Sequence, residues 1–506
     1  MQKIRLIGRS SRLSLLQIDI VRQKIRDHFP SLEVEIITRS SQGDELSNVP
    51  LHTVEGSDFF TQSIFDALSA GEADIAVHSL KDMSGEHFFG DHRFAVVDRD
   101  DPRDIALFRP DVEEKIREGI PLVIGTCSPR REDMAMNFLR KALPQHAPIR
   151  IQVQPIRGNV ETRLKKLDSG MYDGTILATA GLNRLLRSET DARSIWPLLQ
   201  DKKKMLLPLF ECVPAPCQGA VVAEADPSNT KAVEILTRIN DQTGMEECQR
   251  EKRLALRYGK GCLQRFGVTT IHFGDEKVTF AAGTDQQNKP FEDWHDLDKP
   301  DLRKKKIFSS TDFMGTFFDY QFFDDVFEIG EPVVYISNFK AVLSQHKPVL
   351  RAKRIWTAGT RTWMQLAAAG YWVEGSADAL GLESLVDVWQ MPLVGIDTNQ
   401  VVIITSEQAS GLWQLKGWKA ISTYRLVDRN DSQIQEGIRD AEFIFWTSHR
   451  QYLQYKNLIR KDVVHACPSG ETAELLKLAG IRPIVFPTIK SFLQWRKFST
   501  PLPSAV

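Results

Sequence analysis

The stretch Ala73-Asp74-Ile75-Ala76-Val77-His78-Ser79-Leu80-Lys81-Asp82 decides the fold. Ile75, Ala76 and Val77 form a short apolar run without period-two alternation, the pattern of a parallel strand covered on both faces. The run gives out into a polar tip, Ser79-Leu80-Lys81-Asp82. In open α/β sheets ligands bind outside the carboxyl ends of strands, so Lys81 and Asp82 stand where chemistry is expected. A blander reading has Asp82 capping a short helical turn, with Ser79 three residues before it as in a capping box. Spacing alone does not choose between the two.

Upstream, Ile4 to Ile7 reads as a strand and Ser11 as the N-cap of the following helix. Ile18, Val21, Ile25 and Phe29 recur at spacings of three, four and four, one apolar helical face. Val34 to Thr38 is the next strand, and strand-helix-strand opens a doubly wound domain. Arg9 and Ser11 lie at the first strand-to-helix turn, where backbone N–H groups favour an anion; taken alone, Arg9 reads more readily as a solvated surface arginine. Downstream, strands over Leu122–Gly125, Ile149–Pro155 and Asp173–Ala178 each run into an arginine-bearing turn. The first is Thr126-Cys127-Ser128-Pro129-Arg130-Arg131. Ser128 then Pro129 is an N-cap followed by N1. Arg130 and Arg131 fall in the first helical turn, against the macrodipole, which calls for an anion unless Glu132 and Asp133 neutralise them. The second turn is Arg157-Gly158-Asn159-Val160-Glu161-Thr162-Arg163-Leu164, with Asn159 as N-cap, and the third is Ala180-Gly181-Leu182-Asn183-Arg184.

A length of 506 residues suggests about three to five domains. The formal net charge of -1 provides no global field for nucleic acid or an anionic membrane. No signal peptide or transmembrane span is visible. The six cysteines form no C-x-x-C pair, which points away from zinc bound by cysteine and from a disulfide framework, and toward a cytosolic chain with reduced thiols. Gln42–Asp58 reads as a polar loop, Asp100–Asp104 as a crossover between domains, and Pro214–Ala220 as the way out of a two-domain core. Cys248–Tyr258 reads as a helix, and Val268–Phe273 with Lys277–Ala282 as a hairpin around Gly274-Asp275. Between them, Cys262 sits in a glycine-flanked loop that favours exposure, although a lone cysteine is commonly a small buried hydrophobe.

Taken together and in this order, the motifs over the first ~300 residues resemble the hydroxymethylbilane synthase (porphobilinogen deaminase) family. The resemblance implies an α/β fold with two doubly wound, periplasmic-binding-protein-like lobes, residues 1–100 with 205–224 and residues 101–204, followed by a small α+β domain over 225–302. It implies that four molecules of porphobilinogen are joined head to tail into hydroxymethylbilane with release of ammonia. Asp82 would be the catalytic acid/base, and Cys262 would carry a dipyrromethane cofactor by a thioether bond. Lys81, Asp82, Thr126, Ser128, Arg130, Arg131, Arg157 and Gly158 would hold the cofactor. Arg9, Ser11, Phe60, Arg157, Arg163 and Arg184 would hold substrate carboxylates and pyrroles. No metal is called for. Three positions depart from the family's pattern: Ser57 and Cys217 replace its usual lysine and glycine, and Lys260 replaces a glycine. Cysteine disfavours the positive φ open to glycine, so the geometry at Cys217 is expected to differ. The same arginine-lined lobes would also suit an anion-binding receptor without catalysis; Cys262 and the absent leader speak against that.

About two hundred residues remain, too many for a tail. After the charged break Asp301–Lys306, two segments resemble each other: Ala358–Leu366 ending in Ala369-Gly370, and Pro468–Leu476 ending in Ala479-Gly480. Both keep the same Thr-to-Leu and Thr-to-Gly spacings after a short strand, which fits two similar α/β lobes over 303–506. This half is similar to uroporphyrinogen-III synthases, although 306–332 is short for that family's first lobe. The resemblance implies a cleft lined by Tyr424, Thr447 and Ser448 that turns hydroxymethylbilane into uroporphyrinogen III. On residue type alone, each of the three reads as a strand-end polar residue, and the half as a non-catalytic partner domain.

Overall fold

The computed structural model describes residues 3–39, 62–259, 264–303, 305–324 and 328–499. Ser57, Phe60, Lys260 and Cys262 lie outside the described residues. The chain forms two compact units: residues 1–270 with 281–291 and 391–395, and residues 271–280, 292–390 and 396–506.

Among the described residues of the first unit, two sheets are built from β1 (Lys3–Arg9), β2 (Glu33–Arg39), β3 (Ile75–Ser79), β4 (Arg93–Arg99), β5 (Asp104–Phe108), β6 (Leu122–Gly125), β7 (Ile151–Gln154), β8 (Gly174–Ala178), β9 (Lys203–Leu206) and β10 (Ala220–Ala225). The strand orders are β2-β1-β3-β10-β4 and β7-β6-β8-β5-β9. Each sheet has three parallel strands followed by an antiparallel one, β10 in the first and β5 in the second. The first sheet thus takes β10 from beyond the return crossing, whereas the second is built wholly of strands that lie between the two crossings.

The run at β3 reads as its sequence asks. Ile75 and Val77 enter one core, with Ile18, Val21 and Ile25 of the helix Arg12–His28. Ala76 enters another with Ile7 and Ile64. Burial on both faces leaves no room for a polar alternation. The helix Thr230–Ile239 buries Ala232, Ile235, Leu236 and Ile239 in that first core. The expected third-domain start at 225 is therefore too early, because this helix supplies an apolar face that the first sheet needs. Similarly, β9 carries the second sheet to Leu206, past the expected boundary at 204.

The chain crosses between the sheets twice, over 100–103 and over 207–219. The two crossings touch, with Asp100 donating its N–H to the Gly219 carbonyl at 3.2 Å. Gly219 has φ +88°, and a Cβ there would stand 2.2 Å from the Asp100 carbonyl oxygen. Only glycine allows this approach. Cys217 takes φ +61° despite its Cβ. Its N–H donates to Glu251 Oε2 at 2.7 Å and its thiol to the Cys248 carbonyl at 3.4 Å, which offsets a left-handed strain of about 1–2 kcal/mol.

The helix Gln242–Tyr258, longer than the expected Cys248–Tyr258, leads to a sheet of β11 (Arg265–Phe273), β12 (Glu276–Thr284) and β13 (Pro290–His295). The hairpin is where the sequence puts it, and β13 is an added strand. Leu254 and Ala255 of the helix pack with Phe266, Val268 and Ala281.

The second unit holds β14 (Ile307–Ser309), β15 (Phe318–Phe322), β16 (Val333–Ile336), β17 (Arg354–Thr357), β18 (Gly375–Ser376), β19 (Val401–Ser406), β20 (Lys419–Asp428), β21 (Phe443–Phe445), β22 (Val464–Pro468) and β23 (Ile484–Phe486). They form sheets of order β15-β20-β19-β16-β17-β18 and β14-β21-β22-β23, parallel except for β15. The short 306–332 segment supplies one strand to each sheet, β14 and β15. The two similar segments are one local device. Each is a strand, a helix (Thr360–Ala368 or Glu471–Leu478) and a left-handed glycine, Gly370 at φ +83° or Gly480 at φ +81°. Gly370 and Tyr371 donate to the carbonyls of Ala367 and Leu366, and Gly480 and Ile481 to those of Lys477 and Leu476. This is the Schellman closure.

Candidate active site

β3 ends at Ser79, and Leu80–Asp82 make a single tight turn anchored by the buried Leu80. The Ser79 side chain makes no cap bond to that turn. Ser84 caps the next one, accepting from His87 N at 3.1 Å. The capping-box reading of Ser79 and Asp82 is thus not realised, and Lys81 and Asp82 instead line a cleft of about 190 Å³. Facing them are Ser128, Arg130 and Arg131 from the end of β6, Gln218 from the return crossing, and Lys252 and Phe266 from the third part of the unit. Gly259 and Gln264, the described residues on either side of 260–263, also line it.

Arg130 and Arg131 have their anion inside the chain, and it is neither Glu132 nor Asp133. Both are buried against Asp104, the first residue of β5. Arg130 Nη2 donates to Asp104 Oδ2 at 2.8 Å, and Arg131 Nη2 to Oδ1 at 2.7 Å. Gln218 Nε2 donates to Oδ1 at 2.9 Å. Carbonyls take further N–H groups, Val213 from Arg130 and Ile176 from Arg131. Burial pushes the Asp104 carboxyl up, but the two guanidinium groups outweigh it and hold it far below the usual carboxylate range. Two cations share one carboxylate, so the cluster keeps a net positive charge. A guanidinium has five N–H donors, and these bonds leave some on each arginine. Arg131 also opens a wide helical turn over Arg131–Ala135, a form that recurs at functional sites.

Cations crowd the neighbourhood. Burial lowers the Lys81 ammonium, Arg131 and Arg130 lower it further, and Asp82 and Asp104 act against them. Arg163 is lowered by burial, then by Arg131 and Arg157. Its Nε donates to the Gly158 carbonyl at 2.8 Å. Gly158 has φ +111°, and a Cβ there would meet Thr162 Cγ2 at 2.6 Å. Arg157 is half-buried, and its carbonyl accepts from Lys166 Nζ at 3.0 Å. Thr126 Oγ1 accepts from Ser128 N at 3.1 Å and shapes the turn. Arg9 is half-buried at the end of β1, and Ser11 caps the next helix by accepting from Ser14 N. Arg184 is buried and braces the crossings, with Nη2 2.7 Å from Asp98 Oδ2 and 2.5 Å from the Gly219 carbonyl.

Sequence reading missed Gln218, Glu251 and Lys252. Glu251 is fully buried and receives Arg99 Nη2 at 2.6 Å and the N–H groups of Cys217 and Thr270, each at 2.7 Å. Lys252 Nζ donates to the Met83 carbonyl at 2.5 Å, just past Asp82. The signal was present: Glu251 and Lys252 fall on the same helical stripe as Cys248 and Ala255, where a charge needs a buried partner.

In the second unit, Tyr424 stands on β20 with its ring near Tyr320 and Phe322. Burial, aided by Tyr320, pushes its hydroxyl up to about 12. Thr447 and Ser448 follow β21 in the other sheet. Thr447 Oγ1 donates to Gln451 Oε1 at 3.0 Å and accepts from Ser310 at 3.1 Å. Ser448 caps the helix His449–Tyr455.

A family described as "Porphobilinogen deaminase, dipyromethane cofactor binding domain" matches residues 4–234. The porphobilinogen deaminase of Thiobacillus denitrificans is 34% identical over 269 residues, covering 53% of this chain and 80% of that one. That of Nostoc sp. is 32% identical over 289 residues, covering 56% and 83%. The chain belongs to the porphobilinogen deaminase family. The family's cofactor is dipyrromethane, and a cleft with four cations among its described lining residues fits a ligand rich in carboxylates. A probable porphobilinogen deaminase of Saccharolobus islandicus is 33% identical, covering 57% of this chain and 88% of its own. Among solved structures, the probable amino-acid ABC transporter extracellular-binding protein ytmK of Bacillus subtilis aligns over 51% of this chain and 97% of that one, at 13% identity and a TM-score of 0.27. Among the described residues, no helix is long and apolar enough to cross a membrane.

The Asp104 cluster makes a pH-dependent prediction. Asp104→Asn leaves two buried guanidinium groups without their carboxylate, a loss of about 3–5 kcal/mol. A carboxyl held low in the folded state stabilises fully above its unfolded value, about 3.9, and this contribution declines as pH falls toward the folded value. Thermal melts should therefore show the variant well below wild type at pH 7, with the gap narrowing below about pH 4. A gap of the same size at every pH would contradict this account.

Proposed function

We propose that this chain is a bifunctional enzyme of tetrapyrrole synthesis. The first unit joins four porphobilinogens into hydroxymethylbilane, using dipyrromethane held by a thioether to Cys262, and the second turns that product into uroporphyrinogen III. One observation carries the first part: among the described residues lining the cleft, Asp82 is the sole carboxylate against Lys81, Arg130, Arg131 and Lys252.

Porphobilinogen carries an acetate and a propionate, so the bound chain gains carboxylates with each addition. Guanidinium groups grip carboxylates in two-point fashion. Arg130 and Arg131 arrive with their planes fixed by Asp104, so little side-chain entropy is lost on binding. Lys81 and Ser128 share the cleft with them, and Thr126, Gly158 and Arg157 shape the turns that present these cations. Dipyrromethane, when bound, supplies the pyrrole carbon to which the first substrate is joined. Loss of ammonia from a substrate leaves a cationic, electrophilic pyrrole. The Asp82 carboxylate stabilises that charge and takes up the proton released when the new bond forms. Arg9, Ser11, Phe60 and Arg163 serve the incoming substrate and the growing chain. Arg184 acts through the crossings that it braces. The cleft-lining positions of Gly259 and Gln264 support Cys262 as the attachment point.

The second part is supported by the two largely parallel sheets of the second unit, with Thr447 and Ser448 at the carboxyl end of β21, and by the fit of product to substrate. Inverting the last pyrrole before ring closure asks for a cleft that holds one folded geometry, and positioning supplies much of such a barrier.

Asp82→Asn keeps the side-chain shape and removes the base. Porphobilinogen consumption should fall about a hundred- to ten-thousand-fold in a folded protein; near-wild-type turnover would exclude Asp82 as acid/base. For the second unit, the isomers formed from porphobilinogen by the full chain are separated and measured. Mainly type III is expected, whereas mainly type I, the product of spontaneous closure, would leave this unit a non-catalytic partner.

A further inference from the structure

Glu224 of β10 is fully buried on the sheet face opposite the Ile75 and Val77 core, and among the described residues its ion-pair partners are histidines rather than lysine or arginine. Its Oε1 meets His87 Nε2 at 2.6 Å and also His92 Nδ1. His78 of β3, itself buried, brings Nε2 to 3.1 Å from Oε2. That approach is not aligned as a hydrogen bond: His78 Nε2 and Glu224 Oε2 are both inaccessible and without a hydrogen-bond partner. We propose that His87, His92 and Glu224 form a binding site for a divalent transition-metal ion of the zinc class, with His78 facing the outer oxygen of the carboxylate.

The ligand set suits such an ion. One atom from each of the three side chains lies within 4.8 Å of the others. Ligands about 2.0–2.2 Å from a tetrahedral zinc stand roughly 3.3–3.5 Å apart, so small side-chain adjustments open the space. Two imidazoles with one carboxylate favour zinc and its neighbours over magnesium or calcium, which take oxygen. Histidine brings a full positive charge only when protonated, whereas a bound dication compensates a buried carboxylate without that requirement. The His87 ring is held from outside: Phe65 lies 4.0 Å from it between centroids, and Phe94 meets it edge-on at 5.7 Å. An apolar shell of this kind fixes ligand orientation and limits water. Sequence spacing did not reveal the site, because the cysteine count bears on a different ligand and Glu224 lies 132 residues from His92.

The ion would tie β10 to the turn Gly85–Phe88 and to the entry of β4, immediately past the segment that presents Asp82. Its role is structural, and the Asp82 chemistry does not pass through it.

The test uses the full-length protein, stripped with a chelator and titrated with zinc chloride alone. One zinc per chain should bind, and the melting temperature should rise with zinc. X-ray absorption should show imidazole and oxygen ligands at about 2.0–2.1 Å. His87→Gln/His92→Gln, with a circular dichroism spectrum like wild type, should lose that zinc. Absence of stoichiometric zinc, sulfur scattering at about 2.3 Å from cysteine ligation, or unchanged affinity in the folded double variant would each overturn the proposal. If the double variant fails to fold, the absorption spectrum of the wild type decides on its own.

Discussion

A single buried carboxylate, Asp104, holds the arrangement on which the cleft depends. It sits at the first residue of β5, just after the chain crosses from one sheet to the other, and it binds both arginines of the β6 turn. It also binds Gln218 of the return crossing. One anion therefore fixes the forward crossing, the return crossing and two cations that face Asp82. Such a cluster is costly to desolvate, and an apolar replacement of similar shape is often as stable or more so. Its value lies in orientation: the guanidinium planes are set before any ligand arrives. Glu251 does the corresponding work on the other side, joining Arg99, the backbone at Cys217 and the backbone at Thr270.

How much of this the sequence discloses depends on range. Local patterns are legible. The uninterrupted apolar run at Ile75–Val77 announces a strand covered on both faces, the Ile18-Val21-Ile25 stripe announces the helix against it, and Ser11 and Asn159 cap where their residue types suggest. The arginines of the strand-to-helix turns are legible as a demand for anion. Their partner is not, because Asp104 lies 26 and 27 residues away and carries no signal of its own in the chain. Glu132 and Asp133, adjacent in sequence, are the natural but incorrect choice. The helix at 230–239 joins the first core for a similar reason: an apolar face is visible in sequence, but its destination is set by which sheet remains uncovered. At Cys217 the preference against positive φ is real, and the fold overrides it with a buried hydrogen bond to Glu251.

The second unit illustrates the opposite limit. The two similar segments of sequence are legible down to their hydrogen bonds, since a helix ended by a left-handed glycine is a purely local device. A third instance follows the helix Glu407–Leu415, where Gly417 at φ +86° and Trp418 donate to the carbonyls of Gln414 and Trp413. Local repetition of this kind establishes strand-helix units and says little about chemistry. Tyr424, Thr447 and Ser448 each have a structural task within their own element, whether ring packing, a loop hydrogen bond or a helix cap. A reaction controlled by positioning spreads its demands over many such residues, so it leaves a fainter mark on sequence than one carboxylate at a strand end.

In the function proposed above, the cleft of Asp82, Arg130 and Arg131 houses a dipyrromethane joined covalently to Cys262. A thioether survives denaturation, and a merely bound ligand does not. The direct measurement is the intact mass of the denatured full-length protein beside that of Cys262→Ser. The wild-type chain is expected to be heavier than its sequence by one dipyrrole, and the variant to have the mass of its sequence alone. Wild type at the unmodified mass, or the same adduct on both chains, would contradict it.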